Sequence, residues 1–193
     1  MTRSAVLALV VLQACGSCSE TAAPKSDAAP ATSADAKPAP RAEAGPETSF
    51  DALPDAGPEG LQLRGKHLLQ AITENDPSLA ADLFVPREAI VAARDVPDPG
   101  GWYETKLEPS FASQIARVRR HEKGIDGAVF VSFDLGGPPV QVEPHKKEWK
   151  ETVWTIRHSK LTFTVDGRVR RVDVAEMIAW RGSWYVVRLH EAR

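Results

Sequence analysis

The chain has 193 residues, with 24 Lys and Arg against 26 Asp and Glu and a formal net charge of -2. That balance lacks the strongly basic footprint that nucleic acid requires. Both cysteines, Cys15 and Cys18, precede residue 19, so disulfides, thiolate metal sites and cysteine nucleophiles are excluded from everything that follows.

Arg3 supplies one positive charge and Ala5 to Leu12 form an uninterrupted apolar run, which is the layout of a secretory leader. The run is too short to span a bilayer, since a spanning helix takes about 20 apolar residues. Leu12-Gln13-Ala14-Cys15 resembles the bacterial lipobox, with a branched apolar residue three before the cysteine and a small residue directly before it. The resemblance implies that residues 1–18 hold the lipoprotein signal and its lipidation site, Cys15. Cys18, behind Gly16 and Ser17, is the alternative, and an ordinary secretory leader cut near Ala14 is the other reading. Gly16 stands where an aspartate often retains lipoproteins in the inner membrane, so the resemblance favours the outer membrane of a bacterial envelope. Two or three acyl chains hold such a protein firmly, because each buried methylene contributes roughly 0.8 kcal/mol.

Residues 19–60 are built almost wholly from Ala, Pro, Ser, Thr, Asp, Glu and Gly. Such a segment buries too little apolar surface to offset its ordering entropy, so a disordered tether is expected. Ala23-Pro24, Ala29-Pro30, Lys37-Pro38 and Ala39-Pro40 favour polyproline-like conformations, which give a reach on the order of 100 Å at full extension. Acidic residues outnumber basic ones here, which leaves the remainder slightly positive.

Residues 61–193 suffice for a single domain with one core. Leu61, Leu68, Leu69 and Ile72 follow a helical period that Asn75-Asp76 stops. Asp76 is placed to cap a second short helix with Pro77 at its first position, and Leu79, Leu83 and Phe84 on its buried side. Pro86 opens a third short helix through Arg94, Val96 to Gly101 reads as loop, and a longer helix is expected from Pro109 to Lys123, burying Phe111, Ile115 and Val118. After Gly124 the period becomes two. Val129, Val131, Phe133 and Leu135 alternate on a first strand, which Gly136-Gly137-Pro138-Pro139 breaks. Further strands are expected at 149–158, 161–165, 169–180 and 184–190, with a turn at Ser159-Lys160 and tight hairpin turns at Asp166-Gly167 and Arg181-Gly182-Ser183. Helices first and an antiparallel sheet after define an α+β domain.

Ala81-Asp82-Leu83-Phe84 after the first helices, and the closing run Ala179-Trp180-Arg181-Gly182-Ser183-Trp184-Tyr185-Val186-Val187-Arg188-Leu189, resemble the cone-shaped nuclear-transport-factor-two-like superfamily with its SnoaL-like members. The resemblance implies helices packed on a curled sheet around a pocket. A cystatin-like sheet wrapped on one helix, or another α+β sandwich, is the alternative fold.

No constellation of residues fixes a reaction. Glu176 is in register with Val172, Val174, Ile178 and Trp180, so unless a bulge resets the alternation it faces apolar surroundings where a carboxylate can serve as general base. His158 shares a side with Trp154 and Ile156 and is its candidate partner. A bulge or a wet strand end gives both residues ordinary structural roles. No G-x-S-x-G or H-E-x-x-H is present, and His67, His121, His145, His158 and His190 lack ligand spacing, so neither metal nor cofactor is expected. Arg117, Arg119, Arg120 and Lys123 at a helix end, and Arg168, Arg170 and Arg171 beside a hairpin turn, read first as solvated surface. The leading expectation is a lipid-anchored, non-catalytic binding or assembly module for a small apolar ligand or an envelope protein. The alternative is a SnoaL-like acid/base enzyme acting on a small hydrophobic substrate, and the open sheet face could pair two copies.

Overall fold

Leu61, Leu68, Leu69 and Ile72 fall on one side of α1 (Pro58–Glu74), and all four are buried. The structure is a computed structural model and describes residues 50, 53–54, 58–145 and 149–190. Each fully buried Leu or Ile contributes about 1.5–3 kcal/mol by leaving water. Gly65 lies one turn on from Leu61, and a Cβ there would come within 2.5 Å of the Phe133 Cβ. Its missing side chain lets α1 lie down on the sheet. Asn75 turns left-handed at φ 56° and ends the helix. Asp76 then accepts the Ser78 N–H at 3.0 Å and caps as expected. What it caps is a single 3-10 turn (Pro77–Ala80) rather than a helix reaching Phe84: Leu83 and Phe84 lie past its end, where Phe84 pairs with Val186 instead. Pro86 leads into α2 (Arg87–Ala93) as expected.

Val96 to Gly101 is loop, as its composition suggests, only as far as Asp98. Asp98 accepts the Gly101 N–H at 2.9 Å and Pro99 takes the first helical position, so α3 (Pro99–Trp102) starts inside the Pro/Gly-rich stretch. A π-helical turn (Tyr103–Leu107) carries α3 without a break into α4 (Glu108–His121). Pro109 accounts for the wide turn, because its ring would collide with the carbonyl four residues back in regular α-helix. Phe111, Ile115 and Val118 are buried on α4 as their spacing predicts.

The sheet is antiparallel and five-stranded, from β1 (Val129–Asp134), β2 (Val140–Val142), β3 (Val153–Val165), β4 (Arg168–Trp180) and β5 (Ser183–Arg188). β3 has β1 and β2 along one edge and β4 along the other, with β5 outside β4. Asp166-Gly167 and Arg181-Gly182 make the two expected hairpin turns, all four residues at positive φ.

Two expected features of the sheet do not form. Ser159-Lys160 is no turn, and the strands expected at 149–158 and 161–165 are the single strand β3, which begins only at Val153. Ser159 is fully buried, pairs with Val174, and accepts the Gly136 N–H on its hydroxyl at 3.1 Å. Val131 and Val129 do not share the buried side with Phe133. A bulge between Phe130 and Ser132 resets the alternation, leaving Val129 and Val131 exposed while Phe133 is buried. Gln62 of α1 covers β1's outer edge at Phe133, donating from Nε2 to its carbonyl at 2.8 Å and accepting its N–H at 2.9 Å.

The architecture is α+β, with helices packed on an antiparallel sheet. Its boundary reaches further back than residue 61: α1 opens at Pro58, and Phe50 is buried against Trp180 with ring centroids 4.4 Å apart. Residues 1–49, including Cys15 and Cys18, lie outside the described residues. Among the described residues no helix is long and apolar enough to cross a membrane.

Gly136 and Gly137 differ sharply in surroundings. A Cβ on Gly136 would overlap the Arg157 carbonyl, whereas one on Gly137 meets nothing within 4 Å. Gly136→Ala is predicted to lower the unfolding free energy by about 1–3 kcal/mol in urea titration. Gly137→Ala should leave it unchanged within about 0.5 kcal/mol.

Candidate functional site

After the 3-10 turn the chain extends, and Phe84 lies parallel against β5 at Val186. The Val186 N–H donates to the Leu83 carbonyl at 2.8 Å and the Val85 N–H donates to the Val186 carbonyl at 3.0 Å. Pro86, with no N–H, ends this pairing. Phe84 stacks on Phe111 of α4 with centroids 4.2 Å apart and planes 14° from parallel, and the Tyr103 ring stands 5.8 Å away. The Tyr103 hydroxyl donates to the Val85 carbonyl at 3.1 Å.

These residues enclose a partly open cleft of about 410 Å³. Pro77, Ser78 and Ala81 form one wall, Phe84 to Pro86 the floor, and Tyr103 with Glu108, Pro109, Phe111 and Ala112 the opposite wall. The volume is within the range of small-molecule sites. The π-helical turn is what brings Tyr103 and Glu108 to the same cleft. The Glu108 N–H donates to the Tyr103 carbonyl five residues back, whereas in a regular α-helix residues five apart point about 140° away from each other.

The lining is aromatic and aliphatic with little polar chemistry. The Ser78 hydroxyl donates to Asp76 Oδ1 at 2.7 Å, and Glu108 is the only carboxylate among the lining residues. Burial, with the Glu108 and Glu88 carboxylates adding and Arg87 opposing, pushes the Tyr103 phenol up to about 12. The Asp76 carboxylate beside the Ser78 hydroxyl is engaged in capping the 3-10 turn, so what the cleft offers is contact area for an apolar molecule and one charge, Glu108, to orient it.

Glu176 and His158 are not at this cleft, and they do not form a pair. Glu176 keeps its register, because the bulge at this point lies on β5, but its cross-strand neighbours are Arg157 and Arg188. Its carboxylate oxygens lie 4.0 Å from Arg157 Nη2 and 3.6 Å from Arg188 Nη2, and its side chain is 16% exposed. A carboxylate flanked by two guanidiniums is a cross-strand ion cluster rather than a base in an apolar pocket. His158 sits at φ 58° with its side chain 70% exposed and Nδ1 3.0 Å from Asp173 Oδ2. His67 makes a similar pair with Asp82 at 2.8 Å. Among the described residues no group of three His, Cys, Asp or Glu gathers at metal-holding distance.

Sequence reasoning finds Phe84 and Phe111 as core residues, and they are buried; the cleft sits against them. It misses Tyr103 and Glu108, whose joint position depends on the π-helical turn. Pro109 behind a helical stretch is the one sequence signal for that turn. Comparison with protein-family models, with curated proteins and with solved structures finds no match.

The Tyr103 phenol titrates well above the roughly 10 of an unfolded tyrosine, so its protonated form favours the fold. That contribution is complete below about pH 10 and is lost as pH rises from there through about 12. Phenolate absorbance should show a late step near pH 12 that Tyr103→Phe removes; a Tyr103 step at the ordinary value would contradict the buried hydroxyl.

Proposed function

We propose that this protein is a lipid-anchored lipoprotein of the bacterial envelope, held at the outer membrane through Cys15, whose α+β domain binds a small apolar ligand without transforming it. The domain's resemblance to the cone-shaped nuclear-transport-factor-two-like proteins fits helices packed on an antiparallel sheet, although the described cleft opens outside the α1–sheet interface. The observation that carries the binding reading is the cleft of about 410 Å³ lined by Phe84, Tyr103, Phe111 and three prolines, Pro77, Pro86 and Pro109. Aromatic walls locked by packing give contact area at little cost in side-chain entropy. The acid/base reading through Glu176 and His158 draws no support from this cleft, whose lining includes neither residue.

Ala112 lies on the cleft wall within α4, and Ala81 faces it from the other side. Filling the cleft with Ala112→Trp or Ala81→Trp is predicted to weaken binding of the neutral probe N-phenyl-naphthylamine at least tenfold in a fluorescence titration. Thermal unfolding should be unaffected. Unchanged probe affinity in both folded variants would place the ligand site elsewhere or remove it.

A further inference from the structure

We propose that the ligand of the cleft is a cationic amphiphile, a primary amine on an alkyl or aryl body, with its ammonium group held at the wall formed by Tyr103 and Glu108. This deepens the binding reading above and rests on it. Among the described residues, the side chains that bring polar atoms to the lining are Ser78, Tyr103 and Glu108. The Ser78 hydroxyl commits its proton to Asp76 Oδ1 at 2.7 Å, and the Tyr103 hydroxyl commits its own to the Val85 carbonyl at 3.1 Å. A hydroxyl has one proton to donate, and a carboxylate has none. All three side chains therefore meet a ligand as acceptors. Only a ligand that donates satisfies them, and an ammonium group brings three N–H donors.

The charge around the cleft has the same sense. The Tyr103 phenol is raised first by burial and then by the charges of Glu108 and Glu88, which places both carboxylates near the ring. Asp76 stands behind Ser78, whose hydroxyl and N–H hold it below the usual carboxylate range. Arg87 is the cation whose charge also reaches Tyr103, and its Nε donates to Glu104 Oε1 at 2.9 Å. Among the described residues no Lys, Arg or His is paired with Asp76, Glu88 or Glu108. Charges of one sign beside apolar walls concentrate their field in the cleft. A neutral ligand that covers Glu108 strips it of water and returns nothing, an anion adds repulsion, and a cation offsets the loss.

A primary amine meets both conditions at once. Its N–H groups suit the Glu108 carboxylate and the lone pairs of the Tyr103 oxygen, and its charge is attracted to the Tyr103 ring. Its apolar body covers the aromatic and proline side chains of the cleft. Glu108 is exposed, so the ion pair stays partly in water. Such a pair with a cation–π contact added should make the amine bind about fivefold to tenfold tighter than an uncharged molecule with the same body.

The test uses the full-length chain carrying Cys15→Ser and Cys18→Ser, which has no acyl chain and needs no detergent to compete for the cleft. Octylammonium, octanol and octanoate are compared at neutral pH by their displacement of N-phenyl-naphthylamine. Octylammonium is expected to act at a concentration at least about fivefold below octanol, with octanoate the weakest of the three. Its advantage should shrink as salt rises. Glu108→Gln, with unchanged thermal unfolding, should lower the preference for octylammonium over octanol at least about threefold. If that variant fails to fold, Glu88→Gln, outside the lining, should lower it about twofold. Equal displacement by octylammonium and octanol, or a preference that both folded variants keep in full, overturns the ammonium site. The apolar cleft still stands in that case if Ala112→Trp weakens all three compounds. If Ala112→Trp weakens none of them, the cleft is not the binding site, and both readings fall together.

Discussion

Two hydrogen bonds at one residue decide where the helical layer can sit. The N–H and carbonyl of Val186 are both engaged by the extended segment around Phe84, at 2.8 and 3.0 Å, and Val186 itself is fully buried. Leaving such buried backbone groups unpaired costs about 1–3 kcal/mol each. The parallel bridge fixes Phe84 against β5, and from there its ring can reach Phe111. Two residues past the end of α4's contact, Gln114 reinforces the same arrangement: its Oε1 accepts the Leu189 N–H at 2.6 Å and its Nε2 donates to the Ser110 hydroxyl at 2.8 Å. The end of β5 and the residue beyond it thus hold both the floor of the cleft and the helix that forms its wall.

The sheet is adapted by two bulges and one close approach. The bulge on β5 falls at Val187. Without it, the register from the Arg181-Gly182 turn would set Val187 opposite Glu176, and with it Arg188 takes that place. Val186 and Val187 are both buried as a result. The bulge on β1 turns Phe130 and Phe133 inward and leaves Val129 and Val131 outside. Between β1 and β2, Gly136 passes so close to Arg157 that only a residue without a side chain fits, and His158 takes its left-handed conformation beside it. Arg94 adds a further anchor, with its guanidinium 4.5 Å from the Trp102 ring and 5.2 Å from the Trp149 ring, joining the helical side to the segment before β3.

Sequence reasoning reaches the α+β class because strong local signals agree with the final packing. The Leu68, Leu69 and Ile72 period, the Asp76 cap and the two glycine-containing hairpin turns all act within a few residues. It fails where a distant partner overrides composition. Gly136 donates to the buried Ser159 hydroxyl, which keeps β3 continuous where a turn at Ser159-Lys160 was expected. Asp98 converts a Pro/Gly-rich run into a helix start. The ion cluster at Glu176 was half legible: counting outward from Asp166-Gly167 sets Arg157 opposite Glu176, but only if β3 is taken as one strand. Arg188 was not legible, since its place depends on the β5 bulge. The cleft is harder still, because it is built from three separate segments and a π-helical turn.

Amide hydrogen exchange at Val85, Val186 and Leu189 tests most directly whether the cleft is a preformed site with its floor pinned to β5. The account predicts that these three amides exchange as slowly as those in the middle of β3, opening only with global unfolding. Exchange as fast as at the exposed Gly167 turn would show that the Phe84 segment detaches on its own, and a rigid binding cleft between it and α4 would not exist.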